Sequence, residues 1–180
     1  MSYCEFTKDL DESHPHRIYH DNHYGFPVEE DNELFGRLIL EINQAGLNWL
    51  TILKKEENFR KAFDNFEINK VANYKEQKKE SLMQDAGIIR NRLKIEAAIY
   101  NANRILELQK EFGSFKDWLD INLGKDLKEW TALFKKNFKF TGGLIVEEFL
   151  MSTSYLKGAH DENCEINKEI IKLEPKWKIN

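Results

Sequence analysis

The sequence has little of what would make a chain fibrous, membrane-spanning or disulfide-framed. Only two cysteines, Cys4 and Cys164, occur in 180 residues, near opposite ends. That is too few for a disulfide framework, and in a reducing cytosol no bridge between them is expected. No apolar run approaches the roughly 18 residues of a membrane helix, so no membrane association is expected. Proline is scarce, at three residues, and there is no internal repeat or low-complexity tract. No stretch alternates polar and apolar residues with period two, which argues against half-buried strands. Neither sign of charge dominates: 27 Lys and Arg face 31 Asp and Glu, for a net charge of -4. A broad electrostatic grip on a polyanion is thereby disfavoured, while a local basic face stays open. The opening Met-Ser-Tyr-Cys-Glu-Phe has neither a basic nor an apolar targeting region, so a cytoplasmic location is the expectation.

What is present suits a globular chain. Hydrophobic residues make up 41% and aromatics 12%, and a chain of this length buries about 70% of its unfolded surface. One domain over 1–180 is expected. Asp31 reads as the N-cap of a helix reaching about Gln44, which Ala45-Gly46 ends. Further helices are read at about 49–55, 57–63, 67–74 and 76–85. The surest spans 91–110, where Ile95, Ala98, Ile99, Ala102, Ile105 and Leu106 keep a helical repeat. Ser114-Phe-Lys-Asp117 has capping-box spacing before a helix to Ile121. Others follow around Leu127–Phe134 and from Leu144 to Ser154. Residues 1–30, with Pro15, Gly25 and Pro27, read as irregular, and the tail at 165–180 reads as frayed or as one short helix. The fold class is all-α, with about ten short helices.

Three features carry chemistry. First, with Leu34 as origin and ~100° per residue, Glu41 falls within about 20° of Leu34, on the arc of Leu38, Ile42 and Ala45. It points inward, and an unpaired buried carboxylate costs several kcal/mol or becomes neutral. It is therefore functional, paired with a Lys or Arg, or on a helix rotated enough to reach water. Second, the helix, Gly-Ile-Ile turn and helix at about 78–108 could present backbone N–H groups around Gly87, Ile88 and Ile89 to a phosphate. Arg90, Arg92 and Lys94 lie beside it; an ordinary αα-hairpin is the plain alternative. Third, four of five histidines lie in the first 23 residues, and His160-x3-Cys164 has ligand spacing. Cys4 and His20 would complete a Cys2His2 zinc set, the alternative being solvated histidines and free thiols.

Several stretches belong together: Cys4-x-Phe6, Tyr19-His20-Asp21-Asn22-His23-Tyr24-Gly25-Phe26-Pro27, Glu41-x-x-Gln44-Ala45-Gly46-Leu47-Asn48-Trp49, Gln84-Asp85-Ala86-Gly87-Ile88-Ile89-Arg90, Phe138-Lys139-Phe140 and His160-x3-Cys164. With them the chain resembles the bacterial 3-methyladenine DNA glycosylase I family. The resemblance runs over nearly the whole chain with the motifs in order. It implies a helix-hairpin-helix glycosylase fold and one structural Zn2+ on Cys4, His20, His160 and Cys164, tying residues 1–25 to 155–165. It implies a monofunctional base-excision enzyme that flips 3-methyladenine out of alkylated double-stranded DNA, acting as a monomer. Glu41, Tyr19 and Trp49 would be catalytic, with Phe6 and His16 also contacting the base. Gly46 and Leu47 would enter the gap in the duplex, and Gly87, Ile88, Ile89, Arg90 and Lys94 would hold its backbone. Asn91 stands near where bifunctional relatives keep a lysine, so no lyase step is expected.

The chain departs from the family in places. Phe6 stands where tryptophan is frequent, His16 where tyrosine is common, and Ile42-Asn43 follow the glutamate in a place expected to touch the pocket. A Ser/Thr-rich segment before Phe138 is shortened. The rival reading is a non-catalytic protein that binds DNA or damaged DNA through the same hairpin; another is a glycosylase of altered alkyl-base range.

Overall fold

The computed structural model describes residues 1–179, and among these eleven α-helices and two short 3-10 turns account for the regular structure, with no strand. The helices are α1 (Tyr3–Lys8), α2 (Pro15–Asn22), α3 (Asp31–Gln44), α4 (Trp49–Ala62), α5 (Ile68–Ala72) and α6 (Glu76–Gln84). They continue as α7 (Arg92–Phe112), α8 (Phe115–Asp120), α9 (Leu127–Asn137), α10 (Gly143–Ser152) and α11 (Glu165–Lys172). No helix is long and apolar enough to cross a membrane.

α3 is the axis of the core. Leu34, Phe35, Leu38, Ile39 and Ile42 are buried on it, and it packs against α4, α7, α8 and α10. Such all-round contact leaves every residue of α3 from Leu34 to Asn43 buried, the polar Arg37, Glu41 and Asn43 included. Gly36 is required there: a Cβ would come within 2.3 Å of the Phe66 ring. On the far side, Phe115, Trp118, Phe134, Phe138 and Phe149 stack edge and face on one another, joining α8, α9 and α10.

Three expectations about elements are corrected. Residues 1–30 are not irregular throughout: α1 begins at a reciprocal Ser2/Glu5 capping box, and Pro15 occupies the first turn of α2, where its missing N–H costs nothing. The two helices read between 49 and 63 are one, α4. The polar run Lys54–Glu57 lies on its outer side, and Arg60 ties it together by bonding Glu56 at 3.2 Å and Glu33 at 2.9 Å. Asp31 does not cap α3, whose N-cap position is Glu30. Its carboxylate instead accepts from the Phe115 and Lys116 N–H groups at 2.8 and 3.0 Å and from Gln109 Nε2 at 2.7 Å. The acid thus caps α8, across a sequence gap that local pattern cannot see.

Candidate active site

The last turn of α3, the start of α4 and the N-terminal helices enclose a pocket of about 380 Å3. Its walls are Tyr3 and Phe6 from α1, His16 and Tyr19 from α2, Tyr24 after it, Glu41 and Gln44 from α3, Trp49 from α4 and Glu148 from α10. The helical phase that places Leu38 and Ile42 in the core also turns Glu41 inward, where it is 5% exposed. Among the described residues no donor makes a hydrogen bond to its carboxylate. Burial, and then the charge of Glu148, push Glu41 up to about 8, with Arg37 acting in the opposite direction.

The aromatic walls are built by mutual packing. Tyr19 meets Trp49 edge-on with ring centroids 5.2 Å apart, and Tyr3 lies stacked 6.2 Å from Phe6. Tyr3 shares its hydroxyl with His16 Nδ1 at 2.9 Å. Burial, aided by the neighbouring His14, lowers the His16 pKa, which favours a neutral ring. Behind Tyr19 the Arg37 guanidinium stands 5.7 Å from the ring centroid and 3.5 Å from Glu33. Arg37 Nη1 is buried without a protein partner. The residues Phe6, His16, Tyr19, Glu41 and Trp49, singled out from sequence, thus come together around one cavity.

Ile42 and Asn43 do not touch the pocket as expected. Ile42 is in the core, and Asn43, also buried, donates to Ile39 O at 2.8 Å along its own helix. Tyr3, Tyr24, Gln44 and Glu148 line it without having been assigned. Tyr24 and Gln44 sat inside quoted motifs, but Glu148 gave no signal. A Glu-Glu doublet on α10 reads as solvated until Tyr24 is seen donating to Glu148 Oε2 at 3.1 Å.

Beyond the pocket, Gly46 and Leu47 form an exposed turn. Gly46 has φ +80° with open space around a notional Cβ, and Leu47 is 40% exposed. In the turn between α6 and α7, Gly87 N–H donates to Asp85 Oδ1 at 2.7 Å and Ile88 N–H to Asp85 O at 3.4 Å, while the Ile89 and Arg90 N–H groups have no protein partner among the described residues. Ile88 is buried and Ile89 partly so, while Arg90 is exposed. Arg92 is held by Glu76, Glu80 and Glu96. Lys94 is corrected outright: it is 5% exposed, and its ammonium donates to Asn43 O at 2.9 Å and Ala45 O at 2.8 Å. It satisfies the carbonyl end of α3 beside Glu41 and has no free face for a phosphate.

At the chain ends, one ligand-type atom from each of Cys4, His20, His160 and Cys164 lies within 4.8 Å of all the others. Cys4 Sγ is 3.3 Å from His20 Nε2 and 3.6 Å from His160 Nδ1, and the two nitrogens are 3.1 Å apart. Cys164 Sγ stands 3.9 and 3.8 Å from the same nitrogens. These edges are close to those of a tetrahedron of about 2.0–2.3 Å metal bonds. The outer nitrogens are fixed too, His20 Nδ1 by Asp21 at 2.7 Å and His160 Nε2 by Tyr24 O at 2.7 Å. That is the support a metal-bound imidazole needs.

The methyladenine glycosylase family model matches residues 10–130. DNA-3-methyladenine glycosylase 1 of Escherichia coli (strain K12) is 39% identical, over 74% of this chain and 82% of that protein. DNA-3-methyladenine glycosylase of Haemophilus influenzae (strain ATCC 51907 / DSM 11121 / KW20 / Rd) is 40% identical over 56% of this chain and 55% of its own. Among solved structures, 3-methyladenine DNA glycosylase I from Staphylococcus aureus superposes with a TM-score of 0.81 at 31% identity, covering 92% of this chain and 96% of that one. A tyrosine-to-phenylalanine variant of such an enzyme, in complex with 3-methyladenine, gives a TM-score of 0.80 at 32% identity, over 92% and 97%. With this all-α fold, and with the family model spanning more than half of its residues, the chain belongs to the 3-methyladenine DNA glycosylase I family.

Proposed function

We propose that the protein is a base-excision repair glycosylase that hydrolyses the N-glycosidic bond of 3-methyladenine in alkylated DNA, and that the aromatic pocket receives the extruded base. The observation that carries this is Glu41: a buried carboxylate, unpaired within the protein, at an aromatic-walled pocket. Such a group is costly unless a ligand compensates it, and a cation does so best. N3-methylated adenine in DNA is cationic, and its glycosidic bond is already labile. The enzyme needs mainly to hold the base while the bond breaks.

Tyr19, Trp49 and Phe6 supply faces that favour a delocalised cation. Glu41, ionised on binding, accepts from the amino edge of the purine and contributes attraction in a site shielded from water. On cleavage the electron pair of the C1′–N bond moves onto the purine, water adds to C1′, and a proton is released. The base leaves neutral. No lysine serves as nucleophile in this scheme: Asn91 accepts from Lys94 N–H at 3.2 Å as the N-cap of α7, and the Lys94 ammonium is bound to α3 carbonyls. The reaction is monofunctional.

Gly46 and Leu47 project from the rim of the pocket and would fill the space vacated by the base. The helix-hairpin-helix unit α6–α7 would hold the duplex backbone through the 86–90 turn and Arg90, without Lys94. Cys4, His20, His160 and Cys164 fit one Zn2+, which would supply structural cross-linking of the chain ends and no open coordination position. Purified protein should release 3-methyladenine from methylated duplex DNA and leave an abasic strand uncut. Tight binding of the same duplex without base release would favour the non-catalytic reading.

A further inference from the structure

α10 buries Val146, Phe149 and Leu150 against the core, which brings Glu148, at the edge of that face, over the mouth of the pocket. Its side chain is exposed, but it is tethered. The buried Tyr24 hydroxyl donates to it at 3.1 Å, and Tyr24 is itself wedged edge-on against Tyr3 with centroids 5.5 Å apart. The carboxylate is therefore tethered above a cavity at which Glu41 already stands without a hydrogen bond. Arg37 lies behind Tyr19 and is engaged by Glu33, and the Lys94 ammonium is bound to the Asn43 and Ala45 carbonyls. Two carboxylates face one cavity with no cation lining it.

We infer that Glu148 is a second substrate-recognition carboxylate of this pocket, which with Glu41 selects purines carrying a formal positive charge over neutral bases of the same shape. The inference rests on the base-excision reading above and deepens it. With a neutral base the two acids do not ionise together and Glu41 keeps its proton, whereas a cationic N-alkylpurine lets both ionise and gains attraction from both. Partial desolvation beside Tyr24 raises the Glu148 pKa, although the residue stays exposed to solvent.

The attraction acts on the bound cation and vanishes once the glycosidic electron pair neutralises the base. Glu148 therefore contributes to affinity, and to departure of the product, more than to bond breaking. Its removal should raise KM without lowering kcat, because the attraction it supplies is strongest in the bound ground state.

The test compares two probes of nearly equal shape at pH 7.5, the 3,9-dimethyladeninium cation and neutral 3-methyladenine, titrated against wild type, Glu148→Gln and Tyr24→Phe. Loss of one partly solvated charge contact is expected to weaken the cation about tenfold in Glu148→Gln while changing the neutral base by less than about twofold. Tyr24→Phe keeps the carboxylate but frees it, so a smaller loss of about threefold, again confined to the cation, is expected. It keeps the inference testable should Glu148→Gln fold poorly. A cation preference unchanged in both variants, with wild type active on methylated DNA, overturns the inference alone. Wild type that releases no 3-methyladenine overturns the base-excision reading and this inference with it.

Discussion

Replacing Glu41 by glutamine separates the energetic cost of this residue from its use. In the folded protein the carboxyl is pushed from its ordinary 4.5 up to about 8, by burial first and Glu148 second. A folded-state value above the unfolded one means that the native state holds the extra proton between those limits. Stability is then greatest below about pH 4.5 and falls as pH rises through 8. At ~1.4 kcal/mol per pH unit, the interval sets a ceiling of roughly 5 kcal/mol, reduced to the extent that water enters the pocket. Glutamine cannot ionise and escapes this cost. The variant should melt close to wild type near pH 5 and well above it at pH 9, by up to roughly 10–20 °C at ~2–4 °C per kcal/mol. Release of 3-methyladenine should move the other way, falling by about one to two orders of magnitude for one lost charged contact. The wild-type kcat/KM should also rise towards pH 8, where the free carboxyl ionises, while that of the variant stays flat. Scanning calorimetry from pH 5 to 9 and single-turnover base release on the same preparations measure both quantities. A variant that melts below wild type at pH 9 with unchanged turnover per folded molecule would make Glu41 a structural partner and refute the reasoning.

Other perturbations have equally definite outcomes. Elemental analysis should find one zinc per chain, and Cys164→Ser should lower the melting temperature; metal-free protein that melts unchanged removes the staple. Lys94→Met should cost about 2–4 kcal/mol by leaving the α3 carbonyls without their donor, and denaturant titration showing no loss would return Lys94 to the list of phosphate contacts. Arg90→Ala should weaken duplex binding for any sequence and reduce the salt slope by about one; a loss limited to one sequence would contradict a backbone contact. Uracil in DNA should remain in place, since nothing in the pocket offers a poor, neutral leaving group the help it needs, and uracil release by wild type would refute cation selection.

Residues near each other in sequence were legible without the fold. The repeat from Ile95 to Leu106 specified α7, and the phase of Leu34, Leu38 and Ile42 put Glu41 inside. The motifs around Tyr19, Glu41 and His160 carried the family. Errors arose where local signs have two meanings. Pro15 breaks a helix in its interior but starts one at its first turn, and Asp31 looks the same whether it caps its own helix or another. Arg92 and Lys94 are basic letters whose charges turn out to be committed elsewhere.

The sequence by itself therefore determined the helical class, the inward carboxylate and the kinship, because each depends on periodicity or on short contiguous words. Only the tertiary structure decided that Lys94 closes the end of α3, that Ile42 and Asn43 stand away from the pocket, and that Glu148 reaches it from 107 positions beyond Glu41. Those facts depend on which helices pack together, and packing brings side chains into contact across separations at which no local pattern relates them.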